Sequence, residues 1–100
     1  MSGYKADAGK IDWMLIPFDA LEEVARVLMF GAEKYGAENW RDVENGERRY
    51  WNAAIRHLTA YSRGKDLDSE SNLSHLAHAA CNVLFVMSLR NGRIGAEAEE

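Results

Sequence analysis

The stretch Ser71-Asn-Leu-Ser-His-Leu-Ala-His-Ala-Ala-Cys-Asn-Val-Leu-Phe-Val-Met87 decides how the rest of the chain is read. Leu73, Leu76, Ala77, Ala80, Leu84 and Met87 recur at helical spacing, the longest such run in the sequence. His75, His78 and Asn82 interrupt that surface at i, i+3 and i+7, which puts two imidazoles and an amide on one flank of a single helix. Buried polar groups need a hydrogen bond, a metal or a wet cavity. A helix that is half core and half polar stripe is therefore a natural wall for a site. The plainer reading makes each of the three a pin that bonds a neighbouring helix, with Ala77, Ala79, Ala80 and Cys81 allowing close approach.

Outward from this stretch, the punctuation marks two more helices. Asp19 with Glu22 three residues on reads as a capping box, and Leu21, Val24, Ala25, Leu28, Ala32 and Tyr35 form a stripe that Gly36 would close. Glu22 and Arg26 are spaced for an ion pair. Lys34 suits the helix dipole but Glu33 opposes it, so that carboxylate calls for a partner or a metal. A second helix spans about Glu47 to Arg63, closed by Gly64, with Trp51, Ala54, Ile55, Leu58 and Tyr61 on one side and Arg56-His57 in its alanine-rich middle. Ser71 or Asn72 caps the third helix, which ends near Arg90.

Between helices lie two polar segments. Asn39-Trp40-Arg41 combines an amide, a ring and a guanidinium that can read a nucleobase, or Trp40 folds back as a core plug. Asp66, Asp68 and Glu70 alternate in a way that offers carboxylates to a hard cation such as Mg²⁺, without the glycine and terminal glutamate of an EF-hand. Residues 1–17 form an extended arm in which Trp13, Met14, Leu15 and Ile16 need a surface to pack on, so the arm is expected to lie across the helices. Gly9-Lys10 could meet a phosphate there, or be a solvated loop.

Composition narrows the class. One hundred residues make one domain with a modest core, a size at which helical domains gain stability by self-association. The net charge is −4, and Glu97, Glu99 and Glu100 carry three of the negatives, so the near-neutral body has no field to attract nucleic acid. Cys81 is the lone cysteine and sits on an apolar helix, so a packed thiol in a reducing cytosol is expected, and no apolar run reaches membrane-spanning length. The reading is an all-α fold: a single helical domain over residues 1–92 with its arm at 1–17, and a flexible acidic tail at 93–100. Its three-helix core is completed into a bundle by homo-oligomerisation, in the cytoplasm, with no membrane partner.

The succession Asp7-Ala-Gly-Lys10, Leu15-Ile-Pro17, Gly31-Ala-Glu-Lys-Tyr-Gly36, Asn39-Trp40, Ala54-Ile-Arg-His-Leu58 and Asp68-Ser-Glu-Ser-Asn-Leu-Ser-His-Leu-Ala-His78 resembles a phage-associated family, the dATP/dGTP diphosphohydrolase N-terminal domain, allied to the MazG-like nucleotide pyrophosphohydrolases. The resemblance implies a helical, oligomeric protein that hydrolyses a purine deoxynucleoside triphosphate to monophosphate and pyrophosphate with Mg²⁺ or Mn²⁺. Metal near Glu33, Asp68 and Glu70, phosphates near Lys10, Lys34 and Arg56 with His57 alongside, and the base near Asn39 and Trp40 would serve that reaction. His75, His78 and Asn82 would form the floor, as ligands or water-orienting groups, with Glu33 catalytic.

The chain departs from the MazG-like pattern at two points: Arg26 follows Glu22-Glu23 where a third glutamate is expected, and Asn82 stands where an aspartate is expected. A neutral amide is a poor ligand for a hard cation. The competing expectation is a non-catalytic phage protein that sequesters a nucleotide or cyclic nucleotide signal of host defence. A helical scaffold that binds another protein through its Ala-rich face is the third.

Overall fold

Pro17, extended and without an N–H to leave unpaired, opens the first long helix, and its carbonyl accepts the Leu21 N–H at 3.1 Å. The computed structural model describes residues 6–99. Three helices make up the body: α1 (Phe18–Tyr35), α2 (Gly46–Ser62) and α3 (His75–Glu99), with short 3₁₀ turns at Trp13–Leu15 and Asn39–Arg41. The all-α expectation holds. Among the described residues no helix is long and apolar enough to cross a membrane.

The helix starts differ from the expected ones for local reasons. Asp19 is not an N-cap but sits inside the first turn of α1, where its charge still favours the positive helix end. Glu22 pairs with Arg26 at 3.5 Å. Gly36 ends α1 at φ +95°, a conformation that suits glycine, and its N–H returns to the Ala32 carbonyl at 2.8 Å. Neither Ser71 nor Asn72 caps α3. Asn72 takes a left-handed φ of 60° to close the preceding turn, and Ser74 Oγ accepts the Ala77 N–H instead.

α2 and α3 form an antiparallel hairpin, and α1 lies against α3. Close approach at the open end of the hairpin rests on Gly46: a Cβ there would meet Leu89 Cδ1 at 3.1 Å. Ala54, fully buried, plays the same part in the middle of α2. The core joining α1 to α3 is small: Val24 and Val27 meet Ala77 and Cys81, with Leu73, Ala80 and Phe85 packed around them. The expected α1 stripe is therefore rotated, since Leu28 and Tyr35 stay exposed and Val27 goes in. On α2 only Ala54 of the expected stripe is buried; Trp51, Ile55, Leu58 and Tyr61 face outward.

Two further expectations change. The arm does not lie across the helices: Asp12 caps the Trp13–Leu15 turn through the Met14 N–H, Ile16 and Pro17 run extended, and Leu15 remains 81% exposed. The third helix does not end near Arg90, and the tail expected at 93–100 is helical through Glu99. Arg93 holds this last stretch by bonding Glu47 of α2 at 3.1 Å and Glu97 one turn on at 3.4 Å. Residues 1–5 and 100 of the proposed arm and tail lie outside the described residues.

Candidate functional site

The link between α2 and α3 folds tightly enough to act as a wall. Leu67 and Ser74 form an isolated antiparallel bridge, and the Asp68 N–H and carbonyl bond Leu73 and Asn72, each at 2.8 Å. Inside this turn Asp68 Oδ2 accepts three hydrogen bonds, from the Glu70 N–H, the Ser71 N–H and the Ser71 hydroxyl, at 3.1, 2.9 and 3.0 Å. Ser71 Oγ also lies 2.7 Å from His78 Nε2. A hydroxyl has one proton, so donating it to Asp68 leaves the oxygen to accept from His78, which fixes His78 with its proton on Nε2. Asp68, Ser71 and His78 are thus one connected unit.

His57 of α2 completes the cluster. Its ring stacks on His78 with centroids 4.5 Å apart and planes 12° apart, and its Nδ1 lies 2.8 Å from Nδ1 of buried His75. Burial holds His57 below the ordinary histidine range, with His78 and His75 adding to the effect and Asp68 opposing it. Burial also lowers His78, against the pull of Asp68. For Asp68 burial pushes upward, but the Ser71 hydrogen bonds and the neighbouring imidazoles outweigh it and the carboxyl lies below its usual range. Burial pushes the Cys81 thiol up to about 11, so it stays an inert packed group.

His57, Asp68, His78 and Cys81 line a cleft of about 1040 Å³ between α1, the Asn39–Arg41 turn and the α2–α3 hairpin. That is ample for a nucleotide-sized ligand. Val27, Leu28, Leu84 and Phe85 supply apolar wall; His57, Asp68, His78 and Asn82 are polar; Lys34, Glu70, Asn39 and Arg49 also line it. Lys34 Nζ bonds Glu70 Oε2 at 3.1 Å across the gap from α1 to the turn. Asn82 Nδ2 donates to the His78 carbonyl at 2.8 Å, which leaves its Oδ1 as an acceptor.

Most of the residues singled out from sequence meet here. Lys34, Asn39, Trp40, His57, Asp68, Glu70, His78 and Asn82 line the cleft, and His75 backs it through His57. Trp40 serves as wall: its ring stacks on Phe85 at 4.5 Å, the Arg41 guanidinium lies 4.2 Å from its centroid, and the Tyr50 hydroxyl donates to its carbonyl. Three candidates are elsewhere. Glu33 is exposed and does not line the cleft, Lys10 stays exposed on the arm, and Arg56 borders a separate shallow depression with Arg63 and Lys65. The helical step of about 100° turns Arg56 away from its neighbour His57. Arg49, two turns before His57 on α2, is a cleft residue that sequence reasoning passed over, and Ser71, which does not line the cleft, ties together two residues that do. The i, i+4, i+8 spacing of Arg49, Ala53 and His57 was the available signal for the first.

The residues present do not fit a hard cation at Glu33, Asp68 and Glu70. Glu70 is paired with Lys34 and Glu33 stands apart from the cleft, so the three carboxylates do not converge on one ion. Among the described residues one group has ligand atoms close enough to share an ion, and it is His57, Asp68 and His75.

Comparison with known proteins agrees with the motif order. Residues 1–98 match the family model described as dATP/dGTP diphosphohydrolase, N-terminal. A dATP/dGTP diphosphohydrolase of Salmonella phage PMBT28 is 41% identical over 93 residues, which cover 93% of this chain and 31% of that protein. The chain thus spans about a third of this relative's length. No solved structure matches. With nearly its whole length matched, the chain belongs to the dATP/dGTP diphosphohydrolase N-terminal family.

Proposed function

We propose that this chain binds a purine nucleotide in the cleft between α1 and the hairpin. The observation that carries the reading is the convergence of cationic, amide and imidazole groups from four separate segments on one cavity of about 1040 Å³. Lys34 and Arg49 meet the phosphates, Asn39 reads the base edge beside the Trp40–Phe85 wall, and His78 with Asn82 forms the floor. The Lys34–Glu70 pair is solvent-exposed, so little is lost when a phosphate replaces the carboxylate. Deoxyadenosine and deoxyguanosine triphosphates are the first ligands to try, because the phage relative is named for them. A nucleotide or cyclic nucleotide signal captured by a phage protein would draw on the same groups.

Hydrolysis of these triphosphates to monophosphate and pyrophosphate is the second reading, favoured by the name of the phage relative. In that case Asp68, Ser71 and His78 would orient the attacking water, with Mg²⁺ or Mn²⁺ arriving on the substrate phosphates. The dispersed carboxylates favour binding over independent turnover.

The deciding experiment incubates the protein with dATP, dGTP and ribonucleotides, with Mg²⁺ or Mn²⁺ present, and follows affinity by calorimetry and products by chromatography. Saturable purine binding that His78→Ala abolishes, with the helical signal kept, is the expected result. Pyrophosphate release stopped by chelator would move the assignment to the hydrolase. Absence of binding to every nucleotide tried would remove both.

A further inference from the structure

Histidines and a carboxylate converge at the closed end of the hairpin, each fixed by a different segment. His57 comes from the middle of α2. His75 opens α3, where its N–H bonds the Asp66 carbonyl at 2.8 Å and its side chain is buried at 9% exposure. Asp68 is clamped by the N–H groups of Glu70 and Ser71. The two imidazoles point ring nitrogen at ring nitrogen, Nδ1 to Nδ1 at 2.8 Å, and one ligand atom from each of His57, His75 and Asp68 lies within 4.8 Å of the other two.

We infer that His57, His75 and Asp68 form a binding site for a divalent first-row transition-metal ion. Imidazole nitrogen selects borderline cations such as Co²⁺, Ni²⁺ or Zn²⁺ over Mg²⁺. An ion about 2.1 Å from both nitrogens would see them at an angle of about 84°, close to the cis angle of a six-coordinate centre. Ligand atoms sharing one ion lie at most about 4.2 Å apart, so the site closes with side-chain shifts of about half an ångström. Without an ion, one imidazole donates its Nδ1 proton to the other. Binding moves that proton to Nε2 of the same ring, so no net proton is released from the pair. His78, stacked on His57 and bonded through Ser71 to Asp68, holds two of the three ligands in place from outside the coordination shell.

The inference does not rest on the nucleotide reading, because the ion is measured with no nucleotide present. Chelator-stripped protein is titrated with Co²⁺ alone and followed by visible absorption and calorimetry. One ion per chain is expected, with micromolar or tighter affinity and a ligand-field band. Proton resonances of the His57 and His75 rings should broaden at substoichiometric Co²⁺, before any others. His57→Ala weakens binding by about tenfold or more while far-ultraviolet dichroism keeps its helical form. Absence of saturable binding of Co²⁺ and of Zn²⁺ overturns the site, as does binding that His57→Ala leaves unchanged. Should that variant fail to fold, the broadening pattern of the unaltered chain decides: a pattern centred on other residues overturns the site.

Discussion

Ser71 shows how much one hydroxyl can organise. Its proton goes to Asp68, its lone pairs serve His78 and the Leu73 N–H, and the tautomer of a cleft histidine follows from that allocation. Removing the hydroxyl leaves His78 Nε2 facing Asp68 Oδ2 across 3.8 Å with nothing between. The histidines also tie stability to pH. Burial, together with the nearby His75, holds His57 and His78 below their unfolded values, while Asp68 pulls both upward; Arg56 adds to the lowering of His57 and Glu70 opposes that of His78. The folded chain therefore binds fewer protons than the unfolded chain once pH falls below about 6.5. Stability from these groups is present above that value and is lost as pH falls through the folded values. In the presence of chelator, the unfolding temperature should hold steady between about pH 7 and 8, below the range where the buried Cys81 thiol begins to matter, and drop on acidification from about pH 7 to 5. His57→Gln should flatten that drop, as scanning fluorimetry would show. An unaltered slope would mean that other groups govern the acid limb. His75, His78 and Asn82 were legible beforehand because helical spacing alone puts them on one flank. The Nδ1–Nδ1 encounter of His57 with His75 was not, because it depends on the register of the hairpin.

At the level of elements, existence was easier to read than boundaries. Gly36 and Gly64 stop α1 and α2 where expected, since both adopt positive φ that other residues resist. The end of α3 was misread because Gly92 looks like a terminator, whereas Arg93 and its two carboxylate partners carry the helix past it. The Gly46 contact with Leu89 sets how closely the hairpin can pack. Gly46→Val should push the two helices apart and cost about 1–3 kcal/mol, read as a lowered midpoint in urea. A midpoint equal to that of the parent chain would show that Leu89 simply swings aside. Trp40 offered either base recognition or a ring folded back as a plug, and Phe85, distant in sequence, holds the ring as in the second.

For the whole molecule, the dominant fact is how much apolar surface one copy leaves open. Its radius of gyration is 17.0 Å, where about 13 Å is usual for this length. Its accessible surface of 7862 Å² exceeds the roughly 5,700 Å² of a folded monomer of this mass by about 2,000 Å². An excess of that size is what obligate subunits bury. Trp51, Ile55 and Leu58, at i, i+4 and i+7 on the outer side of α2, and Trp13, Met14 and Leu15 on the arm, are among the large apolar residues left exposed. Sedimentation should find the chain associated, and Ile55→Glu with Leu58→Lys should shift it toward the monomer; a parent chain that sediments as a monomer would refute this. The sequence alone could not assign the arm, because an apolar residue reads the same whether its own core or another copy covers it. The Lys34–Glu70 contact adds a last consequence for this open body. Lys34 is already paired with Glu70 across the cleft, so any anion drawn to that ammonium has to compete with a carboxylate in place. On the proposed reading, a nucleotide would meet that competition with several charges at once while its ring covers the apolar wall.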